Sequence, residues 1–475
     1  MKSLHTHEQM KDFFSPRHIA VVGASQNNLW FGNMLDNARR ADFDGTIYPV
    51  NPRADEVWGL KAYRSIADLP ENTIDFAVII LKSTLVMDAV KNLCARGIKN
   101  ILLVSSGYAE IGGDGTMLQD QLRKYCRENG ILLMGPNCLG FMNMAENTSV
   151  FTGGAVEGNL LSGTIGVVGQ SGATSEIVVS SLLEKSHGIS LYATTGNEAV
   201  LTVEDYMEYL VFDNKTRVIA AFIEGLRNIP KLKKVAYEAA RRGIPIIVIK
   251  VGRSEKAVKA ASSHTGALAG NDSVLDGFFR QHGIIRVDSI EDMVATAGIF
   301  SRLPLPKGNG LGICTLSGGL CGLYADLCEL YGISLPTLND ATIQKLTEVL
   351  PDFAQPDNPL DVTGSGFQTG MDRINDILLA DENIDLLITL TISPKSSNDT
   401  LVHKFNDWLV SRHQTSSKPL AVIPFKEIND YARSYFNDNG LYFIEQPLIG
   451  LKAISHFMKY AEYVRNFEQN HENKV

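Results

Sequence analysis

Short apolar runs rich in β-branched residues recur along the chain, each followed by a Gly/Ser turn and then an amphipathic stretch. Such a run fits a buried strand and the stretch after it a covering helix, so the repeating unit reads as βα on a parallel sheet. Strands are expected at Ile19–Val22, Thr46–Val50, Phe76–Leu81, Ile101–Ser105 and Ile131–Met134. Helices are expected at Met87–Arg96 and Met117–Asn129, the second stopped by Gly130 as a C-cap. Glu146–Gly163, rich in Gly, Asn, Ser and Thr, reads as a linker. Further strands follow at Thr164–Val168, Ser190–Thr194, Val218–Ile223 and Pro245–Lys250, with a helix at Lys231–Arg242. A second linker around Arg302–Gly310 precedes strands at Leu311–Thr315, Leu386–Thr391 and Leu420–Pro424. The expected fold class is α/β, with three doubly wound domains spanning 1–150, 151–305 and 306–475.

One strand-turn-helix opening recurs in each expected domain: AVVGAS (20–25), GVVGQSGATSE (166–176) and GICTLSGGLCG (312–322). A glycine after a parallel strand lets the backbone approach a ligand, and the next helix aims its positive end at it. The first turn, Gly23–Ser25, lacks GxGxxG spacing, and its second strand ends in Asn51 and Arg53 rather than an acid. That disfavours NAD. An arginine there suits a 2′-phosphate or the 3′-phosphate of CoA equally. The other two turns place Ser171–Gly172 and Ser317–Gly318–Gly319 at helix starts, where hydroxyl and amides converge on one anion, although Ser and Gly are also ordinary capping and turn residues.

Composition narrows the picture. An apolar share of 44% and a charged share of 20% fit a globular protein with ample core. The net charge of −9, without a basic block, argues against nucleic acid. The N-terminus MKSLHTHEQM lacks the apolar stretch of a signal peptide and no apolar run approaches a membrane span, so a cytoplasmic protein off the membrane is expected. The six cysteines form no CxxC pair, so neither a zinc site nor a disulfide framework is expected, and no metal is assigned.

The sharpest feature is ASSHTGALAG (261–270), which sets His264 among small residues. A neutral imidazole is a competent nucleophile whose phosphoramidate passes the phosphoryl group on. No HxH or HxxxH around His264 supports metal ligation instead. Such a histidine needs an acceptor on its proximal ring nitrogen, and Glu224, at the end of the strand in AAFIEG, is the candidate. A solvated strand-end glutamate is its bland alternative.

Together these residues resemble the nucleoside-diphosphate-forming acyl-CoA synthetase family, which includes succinyl-CoA synthetase. The likeness covers nearly the whole chain: SPRHIAVVGAS (15–25), YPVNP (48–52), GPNCLG (135–140), GQSG (169–172), IEG (223–225), SHTGALAG (263–270), LSGG (316–319) and NPLDVTG (358–364). It implies a Rossmann-like CoA-binding domain followed by two flavodoxin-like domains. Coenzyme A would lie along Gly23, Ala24, Ser25, Asn51, Pro52, Arg53, Lys82, Ser106, Gly107, Pro136 and Asn137. It further implies His264 as the phosphohistidine, Glu224 as its support, and Ser171, Gly172, Ser317, Gly318 and Gly319 as phosphate-binding helix starts. The implied reaction joins a small carboxylic acid to CoA with conversion of ATP to ADP and phosphate. No stretch resembles an ATP-grasp domain. ATP and Mg²⁺ are therefore expected on a separate ATP-grasp beta subunit, commonly in a heterotetramer. Two other readings compete: an NADP-dependent oxidoreductase, which leaves SHTGALAG unexplained, and a non-catalytic CoA-binding regulatory module, which predicts decay of motifs that stand intact. Arg53 after VNP leaves open how the CoA phosphates are held.

Overall fold

The computed structural model describes residues 5–257, 272–364, 370–426 and 428–472. Two compact units divide the chain, Met1–Met293 and Val294–Val475.

The first unit contains two sheets. One runs in the order Thr46–Val50, His18–Val22, Phe76–Ile79, Asn100–Leu103, Leu132–Met134, all parallel. Its central strand Phe76–Ile79 is buried at every residue, as helices on both faces require. The other runs Ile284–Arg286, Ile246–Lys250, Val218–Ile223, Ser162–Gly169, Ile189–Thr194, and ends in the antiparallel strands Phe141–Asn143 and Thr148–Ser149. The second unit has one parallel sheet, ordered Leu360–Asp361, Leu311–Thr315, Leu386–Thr391, Leu420–Pro424, Tyr442–Phe443. Numbered by their parallel strands in chain order, all three sheets share the winding 2-1-3-4-5. The topological switch lies beside the first strand of each, where ligands bind in such folds. The three turns Gly23–Ser25, Gln170–Gly172 and Leu316–Gly318 follow those first strands directly.

Several elements depart from the sequence expectation for identifiable reasons. The strand expected to reach Leu81 stops at Ile79, because Ile80 and Leu81 leave the sheet to line a cleft. Much of Glu146–Gly163 is not a solvated linker. Thr148–Gly153 is buried, and the Asn37 side chain donates to the carbonyls of Phe151 and Gly153, both at 3.1 Å. An N-terminal helix, His7–Phe14, opens with a capping box between Thr6 and Gln9 and buries Met10, Phe13 and Phe14. Phe13 packs edge-on against Phe76 of the first sheet, and Phe14 against Phe141 and Tyr206 beside the second. That aromatic cluster joins the two sheets of the first unit.

The second unit begins inside the helix Ile290–Arg302, ahead of the linker expected at Arg302–Gly310. Tyr442 Oη donates to Ala295 O at 3.2 Å and Arg302 donates to Leu441 O at 3.0 Å, tying that helix to the last strand. The long helix Pro447–Glu472 packs against Gly318–Tyr331, where Ser455 Oγ donates to Tyr331 O at 2.8 Å.

Candidate functional site

The carboxyl edge of the first sheet is shaped by a close approach of backbone. Gly23 has φ +93°, and a Cβ on it would lie 2.3 Å from Ile80 O. Only glycine fits there without displacing the neighbouring strand end. Asn51 secures the same turn from the other side: its Nδ2 donates to Ala24 O at 2.7 Å, while its Oδ1 accepts from Arg53 N and Ala54 N. Asn51 therefore has a structural task as well as a place at the edge. Ser25 accepts a backbone bond from Asn28, the N-cap of the helix Leu29–Arg40.

Beside this turn opens a cleft of about 620 Å³, lined by Trp30, Ile80–Thr84, Val104–Ser106 and Asn137–Leu139. Three expected ligand residues, Lys82, Ser106 and Asn137, lie on its wall. Lys82 is the exposed N-cap of Ser83–Ala95, so a helix start faces the same space. Gly107 adjoins the wall through Ser83 Oγ, and Pro136 is buried beside Asn137. Pro52 and Arg53 are exposed and lie outside the lining. The sequence reading missed Trp30, which is half exposed over the cleft, and Cys138, a buried thiol pushed up to about 11 by burial. Such a thiol is inert, in keeping with a packing role.

The second sheet sets its own helix start against Leu139, a residue of the cleft wall. Ser171 is the N-cap of Gly172–Glu184, and its hydroxyl pairs with Thr174 Oγ1 at 3.0 Å rather than with the helix backbone. The first-turn N–H groups thus form an anion-favouring end. A Cβ on Gly172 would lie 2.6 Å from Leu139 Cδ1, so this end sits directly against the cleft wall.

Glu224 follows the adjacent strand Val218–Ile223 and is half-buried. Its N–H donates to Gln170 Oε1 at 2.6 Å, which links it to the residue preceding Ser171. Lys250 ends the next strand, in register with Ile223, and its buried amine is lowered by desolvation against the pull of Asp272 and Glu224. Two buried carboxylates were not anticipated from the sequence. Glu198 is pushed up to about 7, first by burial and then by Glu204, against the opposing effect of Arg227. Its Oε2 accepts from Arg227 Nε at 3.1 Å. Glu204 Oε1 accepts from Arg227 N and Asn228 N.

His264, the expected phosphoryl carrier, lies outside the described residues. Ser317, Gly318 and Gly319 open the helix Gly318–Tyr331 of the second unit, and Asp361 stands beside Gly318, its Oδ2 3.3 Å from where a Cβ would be. The one cluster of metal-binding types among the described residues, His5, Asp205 and Glu208, already holds a cation: Lys231 Nζ lies 2.6 Å from Glu208 Oε2 and also pairs with Asp205.

Residues 17–144 match the family described as CoA binding domain, and residues 162–300 match the Succinyl-CoA ligase like flavodoxin domain. The alpha subunit of acetate–CoA ligase [ADP-forming] II of Pyrococcus furiosus is 32% identical over 438 residues, covering 92% of this chain and 94% of that one. The chain belongs to the nucleoside-diphosphate-forming acyl-CoA synthetase family. A longer member, acetate–CoA ligase [ADP-forming] I of Archaeoglobus fulgidus, is 34% identical over 95% of this chain, which spans 64% of its length. Among solved structures, the dinucleotide-forming acetyl-coenzyme A synthetase 1 of Ca. Korarchaeum cryptofilum, in complex with phosphate and ADP, superposes with a TM-score of 0.85. It is 29% identical, with 97% of this chain and 98% of that chain covered. The family is one of acid–thiol ligases.

Proposed function

We propose that this chain is the CoA-binding, phosphohistidine-bearing alpha subunit of an ADP-forming acyl-CoA synthetase, with functional domains at 1–150, 151–305 and 306–475. The observation that carries this reading is the contact of Gly172 with Leu139, which sets an anion-favouring helix start against the wall of the cleft. A CoA chain held along Gly23–Ser25, Lys82, Ser106–Gly107 and Pro136–Asn137 would end at the place where a phosphoryl group is held.

In this reading the phosphoryl group passes from ATP to His264, and from it to the carboxylate of a small acid, giving an acyl phosphate. The CoA sulfur then attacks the acyl carbon, the bond to phosphate breaks, and phosphate leaves. Glu224 accepts from the proximal ring nitrogen of His264 and favours its cationic form during transfer. The amides at Ser171–Gly172 steady the phosphoryl oxygens without needing reorganisation, and Ser317–Gly319 opens a helix of the second unit with the same anion-favouring chemistry. ATP and Mg²⁺ belong to an ATP-grasp beta subunit, assembled with this chain as a heterotetramer in the cytoplasm.

The test is ADP release by the co-purified complex supplied with CoA, Mg·ATP and one acid at a time from a panel: acetate, branched, aryl, dicarboxylic and sulfonated acids. The reading requires ADP and acyl-CoA in equal amounts, dependent on both CoA and one class of acid. AMP formation, or turnover without CoA, contradicts it.

A further inference from the structure

Gln170 stands between the strand Ser162–Gly169 and the N-cap Ser171, and it is buried. Its carboxamide has two acceptor and two donor positions, and all four are filled. Oε1 accepts from Glu224 N at 2.6 Å and Gly225 N at 2.8 Å, while Nε2 donates to Gly225 O at 2.6 Å and Glu198 Oε1 at 2.9 Å. The partners fix the orientation of the amide, since two backbone N–H groups can meet only its oxygen.

Glu198 is held in its turn. Oε1 also accepts from Val203 N at 2.9 Å, and Oε2 from Arg227 Nε at 3.1 Å. The group that aims Gln170 is thus anchored by a helix start and a guanidinium, not by solvent.

The bridge has a particular reach. Ser162–Gly169 and Val218–Ile223 are adjacent parallel strands, with Gly169 paired to Phe222, and the Gln170 side chain crosses between their carboxyl ends. On one side is the Ser171–Gly172 helix start; on the other is the turn bearing Glu224. A helix start that steadies a phosphoryl group and a carboxylate that supports its carrier, on separate loops, need a fixed spacing, because small misplacements cost large factors in rate.

We propose that Gln170, aimed by Glu198, is a positioning residue that fixes the Glu224–Gly225 turn relative to the Ser171–Gly172 helix start and so sets the geometry of phosphoryl transfer. The role rests on the function proposed above and adds to it residues that touch neither substrate nor phosphate.

The experiment uses the full chain co-purified with its nucleotide-binding partner, as wild type, Gln170→Leu, Glu198→Gln and the double variant. Single-turnover loading of phosphate from Mg·ATP is followed, with backbone hydrogen exchange over residues 224–225. Gln170→Leu is expected to load roughly 10- to 100-fold more slowly at an unchanged half-saturating Mg·ATP, with faster exchange at Glu224 and Gly225. Glu198→Gln is expected to slow loading less, and the double variant to be no slower than Gln170→Leu, since Glu198 acts through Gln170. If Gln170→Leu does not fold, Gln170→Glu carries the same comparison, keeping size and acceptor while losing both donors. Loading at the wild-type rate in the Gln170 variant, or losses that multiply in the double variant, overturns the positioning role alone. A wild type that never loads overturns the proposed function, and the role with it.

Discussion

Gly172 and Leu139 meet so closely that a single methyl group on the glycine would reach 2.6 Å from Leu139 Cδ1. The contact joins two motifs far apart in the chain, the GQSG turn and the GPNCLG loop, at one wall of the cleft. Gly172→Ala is therefore expected to push the Leu139 side chain toward the cleft. The cost in stability is about 1–3 kcal/mol, as for other overpacked sites. Isothermal titration should show weaker CoA binding; unchanged affinity would mean that CoA does not use this wall.

Gly23 is a stricter case, because its obstacle is backbone. Alanine there meets Ile80 O at 2.3 Å and must adopt φ near +93°. The expected loss is about 2–4 kcal/mol, from strain and overpacking together. Denaturant unfolding followed by a probe in the first unit reads it directly.

Glu198 carries a pH signature. Its folded pKa is raised from 4.5 to about 7, so between those values the folded chain holds a proton that the unfolded chain has released. Stability from this group is thus greatest below pH 4.5 and is lost as pH rises through about 7. Relative to Glu198→Gln, which does not titrate, the wild-type melting temperature should fall between pH 5 and pH 8. A constant difference across that range contradicts the buried, proton-holding state.

Trp30 offers an optical reading of the cleft. It is one of three tryptophans and the only one on the lining, 45% exposed. CoA is expected to shift or quench its fluorescence, and Trp30→Phe should abolish the change without disturbing Trp58 or Trp408. A signal that survives in Trp30→Phe places the ligand elsewhere.

Much of this arrangement is legible in the chain itself. The β-branched runs and glycine turns locate the major parallel strands of all three sheets, because buried parallel strands are nearly continuous in apolar residues. The short antiparallel strands Phe141–Asn143 and Thr148–Ser149 are hidden by polar residues that are buried against hydrogen-bonding partners, as Asn143 is through its bond to Phe14 O. Gln170 and Glu198 were illegible for a related reason. A carboxamide in a GQSG turn and a carboxylate in a TGNEAV loop look solvated until the partner strand is placed beside them. Glu224 stands where its motif suggests, at a strand's carboxyl end, and Lys82, Ser106 and Asn137 share one cleft.

The central claim is tested most directly by intact-mass measurement of this chain after the complex meets Mg·ATP, comparing wild type with His264→Asn. The account predicts one acid-labile, base-stable phosphoryl group on the wild-type chain, absent from His264→Asn and discharged by CoA with an acid substrate. A complex that binds nucleotide yet never phosphorylates this chain, or a His264→Asn chain that is phosphorylated equally, contradicts it.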